Sequence, residues 1–138
     1  MREILFRGKS IYNDEWLYGD LSMIRLENSS YIAYNETTGR RPCIRVISNT
    51  VGEYTGLNDR NRKMIFEGDI VECSDVVNGI KFTARIVFGK GRFQLKHIKG
   101  NKPNLDISLW ADMEETGKYI EVIGNVYDNP ELIKEDEQ

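Results

Sequence analysis

Apolar and polar residues alternate most regularly between Ile80 and Lys96. Ile80, Phe82, Ala84 and Ile86 interleave with Lys81, Thr83, Arg85 and Val87 at the two-residue period of a half-buried strand. Gly89-Lys90-Gly91 breaks the run, and Arg92-Phe93-Gln94-Leu95-Lys96 alternates again. A hairpin is therefore predicted, with Phe93 and Leu95 inward and the basic residues outward. Shorter strand patterns cover residues 2–8, 16–21, 23–26, 31–34 and 43–47, separated by the turn formers Asn13-Asp14, Asn28-Ser29-Ser30 and Thr37-Thr38-Gly39. Pro42 suits a strand entry or a sheet edge, because it has no N–H to give to a ladder. Between Val51 and Val71, Gly52, Gly56 and Gly68 supply permissive backbone, Asn58, Asp59 and Asn61 favour turns, and Ile65, Phe66, Ile70 and Val71 supply strand surface.

Helical signals are few. Leu105, Leu109 and Met113 recur every four residues beside Trp110, which predicts a short amphipathic helix over 106–115 ending near Gly117. The run 119–127 predicts a last strand bent at Gly124. Asn129-Pro130-Glu131 then has the order of N-cap, first helical residue and first-turn acid, while residues 135–138 are expected to fray. Many short strands with little helix predict a mainly β protein, closed into a sandwich or a small barrel. A small N-terminal β lobe over 1–49 and a larger lobe over 50–138 are expected within its 138 residues.

Composition narrows this picture. Hydrophobic residues make up 40% and charged residues 30% of the chain, and no apolar run approaches the ~20 residues of a membrane span. The opening Arg2-Glu3-Ile4-Leu5-Phe6-Arg7 lacks the apolar core of a secretion signal, so a cytoplasmic location is expected. The two cysteines, Cys43 and Cys73, lie beside strand residues and are taken as buried free thiols, with a single disulfide between them as the alternative. The single histidine, His97, has no cysteine or second histidine near it, so neither a metal ion nor a cofactor is expected.

Arg2 to Arg7, the segment Val51 to Val71, and Ile120-Glu121-Val122-Ile123-Gly124-Asn125-Val126-Tyr127-Asp128-Asn129-Pro130-Glu131-Leu132 occur in the order and spacing of one family. In them the chain resembles the YopX family of phage and prophage proteins. The resemblance implies a mostly β protein with an SH3-like barrel, encoded by a bacteriophage or prophage. The family carries no assigned reaction, so there are no functional residues to transfer. Two departures stand out: Gly8-Lys9 replaces a usual alanine-tryptophan pair, and Arg62 replaces a glycine expected after Asn61. The second predicts a longer or differently typed loop than a two-residue Asn-Gly turn.

Charge supplies the candidate chemistry. Between Val76 and Leu105 stand seven basic residues, Lys81, Arg85, Lys90, Arg92, Lys96, Lys99 and Lys102, and no acid. From Asp106 onward there are ten acids against Lys118 and Lys134. Lys81, Arg85, Arg92 and Lys96 on one face of the hairpin, with Phe88 available for stacking, can meet phosphates, while the SH3-like barrel that the resemblance implies also binds peptides or proteins. Alternatively, the acidic segment neutralises the basic residues within one chain or between the subunits of a homo-oligomer. The clustered aromatics Tyr12, Trp16, Tyr18, Tyr31 and Tyr34 suit strand cores, with a protein interface as the alternative. The expected function is a non-enzymatic protein-interaction module acting on an unidentified host or phage protein. A nucleic-acid accessory protein using 81–102 is the alternative. A hydrolase using Glu67 and Asp69, within the acidic group Asp59, Glu67, Asp69 and Glu72, ranks third, because turn formers surround these acids and no nucleophile or phosphate-loop motif accompanies them.

Overall fold

The computed structural model describes residues 3–24, 29–101, 107, 110 and 117–134. Among these it is mainly β, with antiparallel strands and short 3-10 segments at Ser48–Thr50 and Pro130–Ile133. The chain divides into two units, Met1–Tyr54 and Thr55–Gln138.

The first unit holds β1 (Phe6–Lys9), β2 (Trp16–Ile24), β3 (Ser29–Ala33), β4 (Cys43–Val46) and the start of β5 (Gly52–Asn58). Their order is β4-β3-β2-β1-β5. The turn after β1 closes with the Ser10 N–H donating to the Glu15 carbonyl at 2.9 Å. β2 runs unbroken through Ser22, so the strands expected at 16–21 and 23–26 begin as one, while Arg25 and Leu26 lie outside the described residues. Pro42 leads into the edge strand β4, and its carbonyl accepts from the Tyr34 N–H at 3.1 Å. Past β4 the chain curls back to β1: Ser10 bridges Val46, and the Ile47 N–H donates to the Lys9 carbonyl at 2.8 Å. This approach accounts for Gly8, where a Cβ would stand 2.9 Å from Val46 Cγ2 and the family's alanine would force Val46 to shift.

Two expectations for this unit are corrected. Cys43 is exposed, because the alternation of β4 turns it outward with Arg45 while Val46 points inward. Tyr12 belongs to no strand core: it sits in the turn after β1 and is 75% exposed, and Tyr18 is also exposed. Trp16 is half-buried and serves as a platform, with Arg7 Cζ 4.6 Å from its ring centroid.

The second unit holds the rest of β5, then β6 (Met64–Phe66), β7 (Asp69–Asp75), β8 (Ile80–Gly89), β9 (Arg92–Gly100) and β10 (Lys118–Asn125). Four of these form a sheet in the order β10-β7-β8-β9. One face of it buries a core of Val71, Cys73, Phe82, Ala84, Ile86, Leu95 and Ile120, joined by Ile65, Ile107 and Trp110. Phe82 and Trp110 meet edge to face at 5.1 Å. The loop between β5 and β6 is tied by the Asp59 N–H to the Lys63 carbonyl at 2.8 Å, leaving three loop residues with Arg62 in left-handed conformation at φ 65°. The longer loop expected from the missing glycine is therefore present, and Arg62 takes the position glycine prefers.

The described strands do not close into a barrel. β9 and β10 stand at opposite edges, and the outer side of β10 is capped by a turn: the Arg60 N–H donates to the Ile120 carbonyl at 2.9 Å and the Val122 N–H to Asp59 Oδ2 at 3.0 Å. The turn thus takes up the Ile120 carbonyl and the Val122 N–H, two groups of this edge that would otherwise be open to strand pairing. The register of β10 against β7 skips Ile123, so the strand bulges beside Gly124, where the bend was expected. The helix expected over 106–115 lies outside the described residues except for Ile107 and Trp110, as does the expected fraying of 135–138. Pro130–Ile133 forms a single 3-10 turn, and the Asn129 side chain does not cap it. Asn129 Oδ1 instead accepts from the Asn125 N–H at 3.2 Å, which fixes the turn leaving β10.

Candidate interaction face

The β8–β9 hairpin is set by a two-residue turn, Lys90-Gly91, with φ of 53° and 77°. Positive φ at both positions matches the right-handed twist of the flanking strands, and Gly91 takes it without strain. The turn fixes a register in which Gly89 faces Arg92, Phe88 faces Phe93, Ile86 faces Leu95 and Arg85 faces Lys96. Lys81, Arg85, Arg92 and Lys96 therefore share the outward face, as the alternation predicted.

Phe88 does not join them. It has the strand parity of Phe82, Ala84 and Ile86, so it belongs to the opposite face and packs edge to face on Phe93 at 5.0 Å. It is 53% exposed because it lies near the hairpin tip. The expected stacking residue of the basic stripe is thus on the wrong side of the sheet. The register also shifts between Thr83 and Ala84, which oppose Lys99 and His97, so Ile98 is the extra residue of a bulge in β9.

The cations differ in surroundings. Lys81 Nζ lies 3.6 Å from Glu72 Oε1. Among the described residues, Arg85, Arg92 and Lys96 have no carboxylate within ion-pair distance, while seven of the ten acids of 106–138 that were expected to neutralise the stripe, and Lys102, lie outside the described residues. Arg85 is half-buried, flanked in register by Ile70 of β7 and Lys96 of β9. Arg85, Lys96, His97, Ile98 and Ile133 line a shallow groove of about 270 Å³. His97 Nε2 donates to the Gly100 carbonyl at 3.0 Å and its ring stacks over Phe82 at 6.3 Å. Ile98 and Ile133 were not anticipated as part of this site. The phase break after Leu95, where Ile98 falls out of alternation, was the one visible sign.

The acidic group is absorbed by the backbone. Asp59 Oδ1 accepts from the N–H groups of Asn61 and Lys63 at 2.8 and 2.9 Å, and Oδ2 from Val122. Asp69, fully buried, accepts from the Phe66 N–H at 2.8 Å. Glu72 Oε1 lies 3.6 Å from Lys81 Nζ, and Glu67 is half-buried in the turn between β6 and β7. Asp75 is bonded by the Asn78 side chain at 2.8 Å, which, with further backbone bonds and Lys118, lowers its pKa despite burial. Cys73 is buried in the core, and burial, aided by Glu72, pushes its thiol up to about 12. No cluster of three or more metal-ligating side chains occurs among the described residues.

No curated protein matches the chain. A solved structure described as protein EF1440 from Enterococcus faecalis is similar over 97% of this chain and 100% of its own, with a TM-score of 0.57 and 21% identity, a likeness of fold. The sequence profile of the family described as YopX protein matches residues 5–134, and the chain belongs to that family.

Proposed function

We infer that this chain is a non-catalytic interaction module whose basic β8–β9 face receives an acidic protein partner. The carrying observation is the cross-strand pair Arg85 and Lys96, two like charges on one face with no carboxylate within ion-pair distance among the described residues. Like charges facing each other across strands are unfavourable until an anion joins them. Two further features favour protein over nucleic acid. The apolar residues Ile98 and Ile133 border the cations, and the exposed aromatic Phe88 belongs to the other face, away from bases bound along the stripe. The buried Asp59 and Asp69 carboxylates serve backbone amides, which supports a structural role for the acidic group over hydrolysis.

The protein is read as phage- or prophage-encoded, acting in the bacterial cytoplasm. Its second unit is read as SH3-like in strand course, on the strength of the β7–β8–β9 meander. Affinity capture from nuclease-treated lysate of phage-infected cells tests the function. A specific protein retained by the native chain and lost with the charge reversals Lys81→Glu and Arg92→Glu supports it. Retention by both proteins, or a partner released by nuclease, refutes it, and the latter outcome favours a nucleic-acid accessory role through 81–102.

A further inference from the structure

We propose that the groove between Arg85, Lys96, Ile98 and Ile133 is the anchor of the basic face, and that it takes a carboxylate side chain next to an aliphatic one on an extended acidic peptide. The proposal rests on the interaction reading above and specifies the partner's chemistry. Lys81 is already drawn toward Glu72 at 3.6 Å, so the field of the stripe concentrates where Arg85 and Lys96 face each other. Residues opposed in an antiparallel pair have Cβ atoms about 5 Å apart, so both cations can converge on one anion. Arg85 is half-buried and bracketed by Ile70 and Lys96, which limits its side chain to few directions. A guanidinium so held presents parallel N–H donors matched to a carboxylate.

The apolar side of the groove separates a peptide from a simple anion. Ile70 has the outward parity of Arg85 yet is fully buried, so this row of the face is covered rather than bathed in water. Ile98, two residues beyond Lys96 and so on the same side of β9, lines the groove although it is itself largely buried, and Ile133 arrives from the 3-10 turn Pro130–Ile133. A phosphate chain has no group for that surface, whereas a leucine or isoleucine beside a glutamate does. His97 adds no free donor at Nε2, which is engaged by the Gly100 carbonyl at 3.0 Å. Recognition thus falls to two cations and two isoleucines.

Fluorescence anisotropy at low salt tests this with a fluorescein-labelled glutamate-rich peptide bearing one central leucine, the same peptide with serine in that place, and a single-stranded oligonucleotide of equal charge. The leucine peptide is expected to bind about ten-fold more tightly than the serine peptide, the effect of burying one aliphatic side chain partway. Lys96→Glu, at an exposed site that tolerates substitution, and Arg85→Glu are each expected to weaken it by about ten-fold or more. Ile133→Ala is expected to remove the preference for leucine while leaving the serine peptide's affinity in place. Equal affinity of the two peptides overturns the groove and leaves the basic-face reading standing. Tighter binding of the oligonucleotide than of either peptide overturns the choice of a peptide. No binding of any probe overturns the proposal together with the reading on which it rests.

Discussion

Asp59 is the residue through which the second unit is most sharply tested. Its carboxylate is buried and accepts three backbone N–H bonds, two within its own loop at 2.8 and 2.9 Å and one from Val122 on β10 at 3.0 Å. Asp59→Asn keeps the shape and one carbonyl oxygen, so the Asn61 and Lys63 bonds survive, but its NH₂ then faces the Val122 N–H, donor against donor. A hydrogen bond to a charged acceptor contributes about 1.5–3 kcal/mol, and a half-buried donor left unpaired adds part of its desolvation, so a loss of about 2–3 kcal/mol is expected. Asp59→Ala removes all three acceptors. Because the bonds share one carboxylate their losses do not add, and about 3–5 kcal/mol is expected. Urea unfolding followed by tryptophan emission in a Trp16→Phe background reports this unit alone, since Trp110 lies buried in its core. Hydrogen exchange at the Val122 amide should rise in both variants beyond what the global loss explains. Stability of the Asn variant within about 0.5 kcal/mol of the native chain would refute the assignment. Equal losses in both variants would refute the division of the three bonds between loop and β10.

Arg62 holds φ 65° with an exposed side chain, so Arg62→Gly relieves left-handed strain of about 1–2 kcal/mol against a cost in unfolded-chain entropy, and a net gain of about 0.5–1 kcal/mol in urea unfolding is expected. Arg62→Ala keeps the strain and should show no gain, so a gain there would trace the effect to the side chain instead. For the thiols, a disulfide-exchange reagent at neutral pH should modify Cys43 at once and Cys73 only on unfolding, since Cys43 is exposed while burial pushes the Cys73 thiol up to about 12. Two fast-reacting thiols in the native protein would overturn this.

What the sequence discloses depends on how far apart the interacting groups lie. The hairpin over 80–96 was legible because inner apolar and outer basic residues alternate on both arms and a glycine stands in the turn. The parity that places Arg85 outward also places Phe88 inward, and Phe88 was expected beside the basic stripe because it was named for stacking without following that parity. Cys43 follows the same rule, since Arg45 two residues on marks its side of β4 as outward. The barrel expected from the family resemblance failed for a different reason. The cap on β10 joins Asp59 to Val122 across 63 residues, and no local pattern announces it. Ile133 likewise reaches the groove through a turn whose position depends on Asn129 bonding back to Asn125, a detail that the N-cap signature alone would assign to a helix.

The separation of the two charges is the physical reason to look for function on β8 and β9. In the segment that identifies the family, Asp59 and Asp69 are buried on backbone amides, where removing either leaves N–H donors without partners. Such residues are needed to build the loops and strand entries whatever the protein binds. Among the described residues Arg85, Arg92 and Lys96 have no comparable duty, while Lys81 is drawn to Glu72. The core beneath them is filled by Phe82, Ala84, Ile86 and Leu95, and the turn is fixed by Lys90 and Gly91. A fold that needed only a soluble outer face would be served as well by mixed charges, and opposing Arg85 with a glutamate in place of Lys96 would stabilise the strand pair. Among the described residues two like charges instead stand opposed beside apolar surface, an arrangement that becomes favourable when a carboxylate lies between them, and this is the ground for proposing an acidic partner.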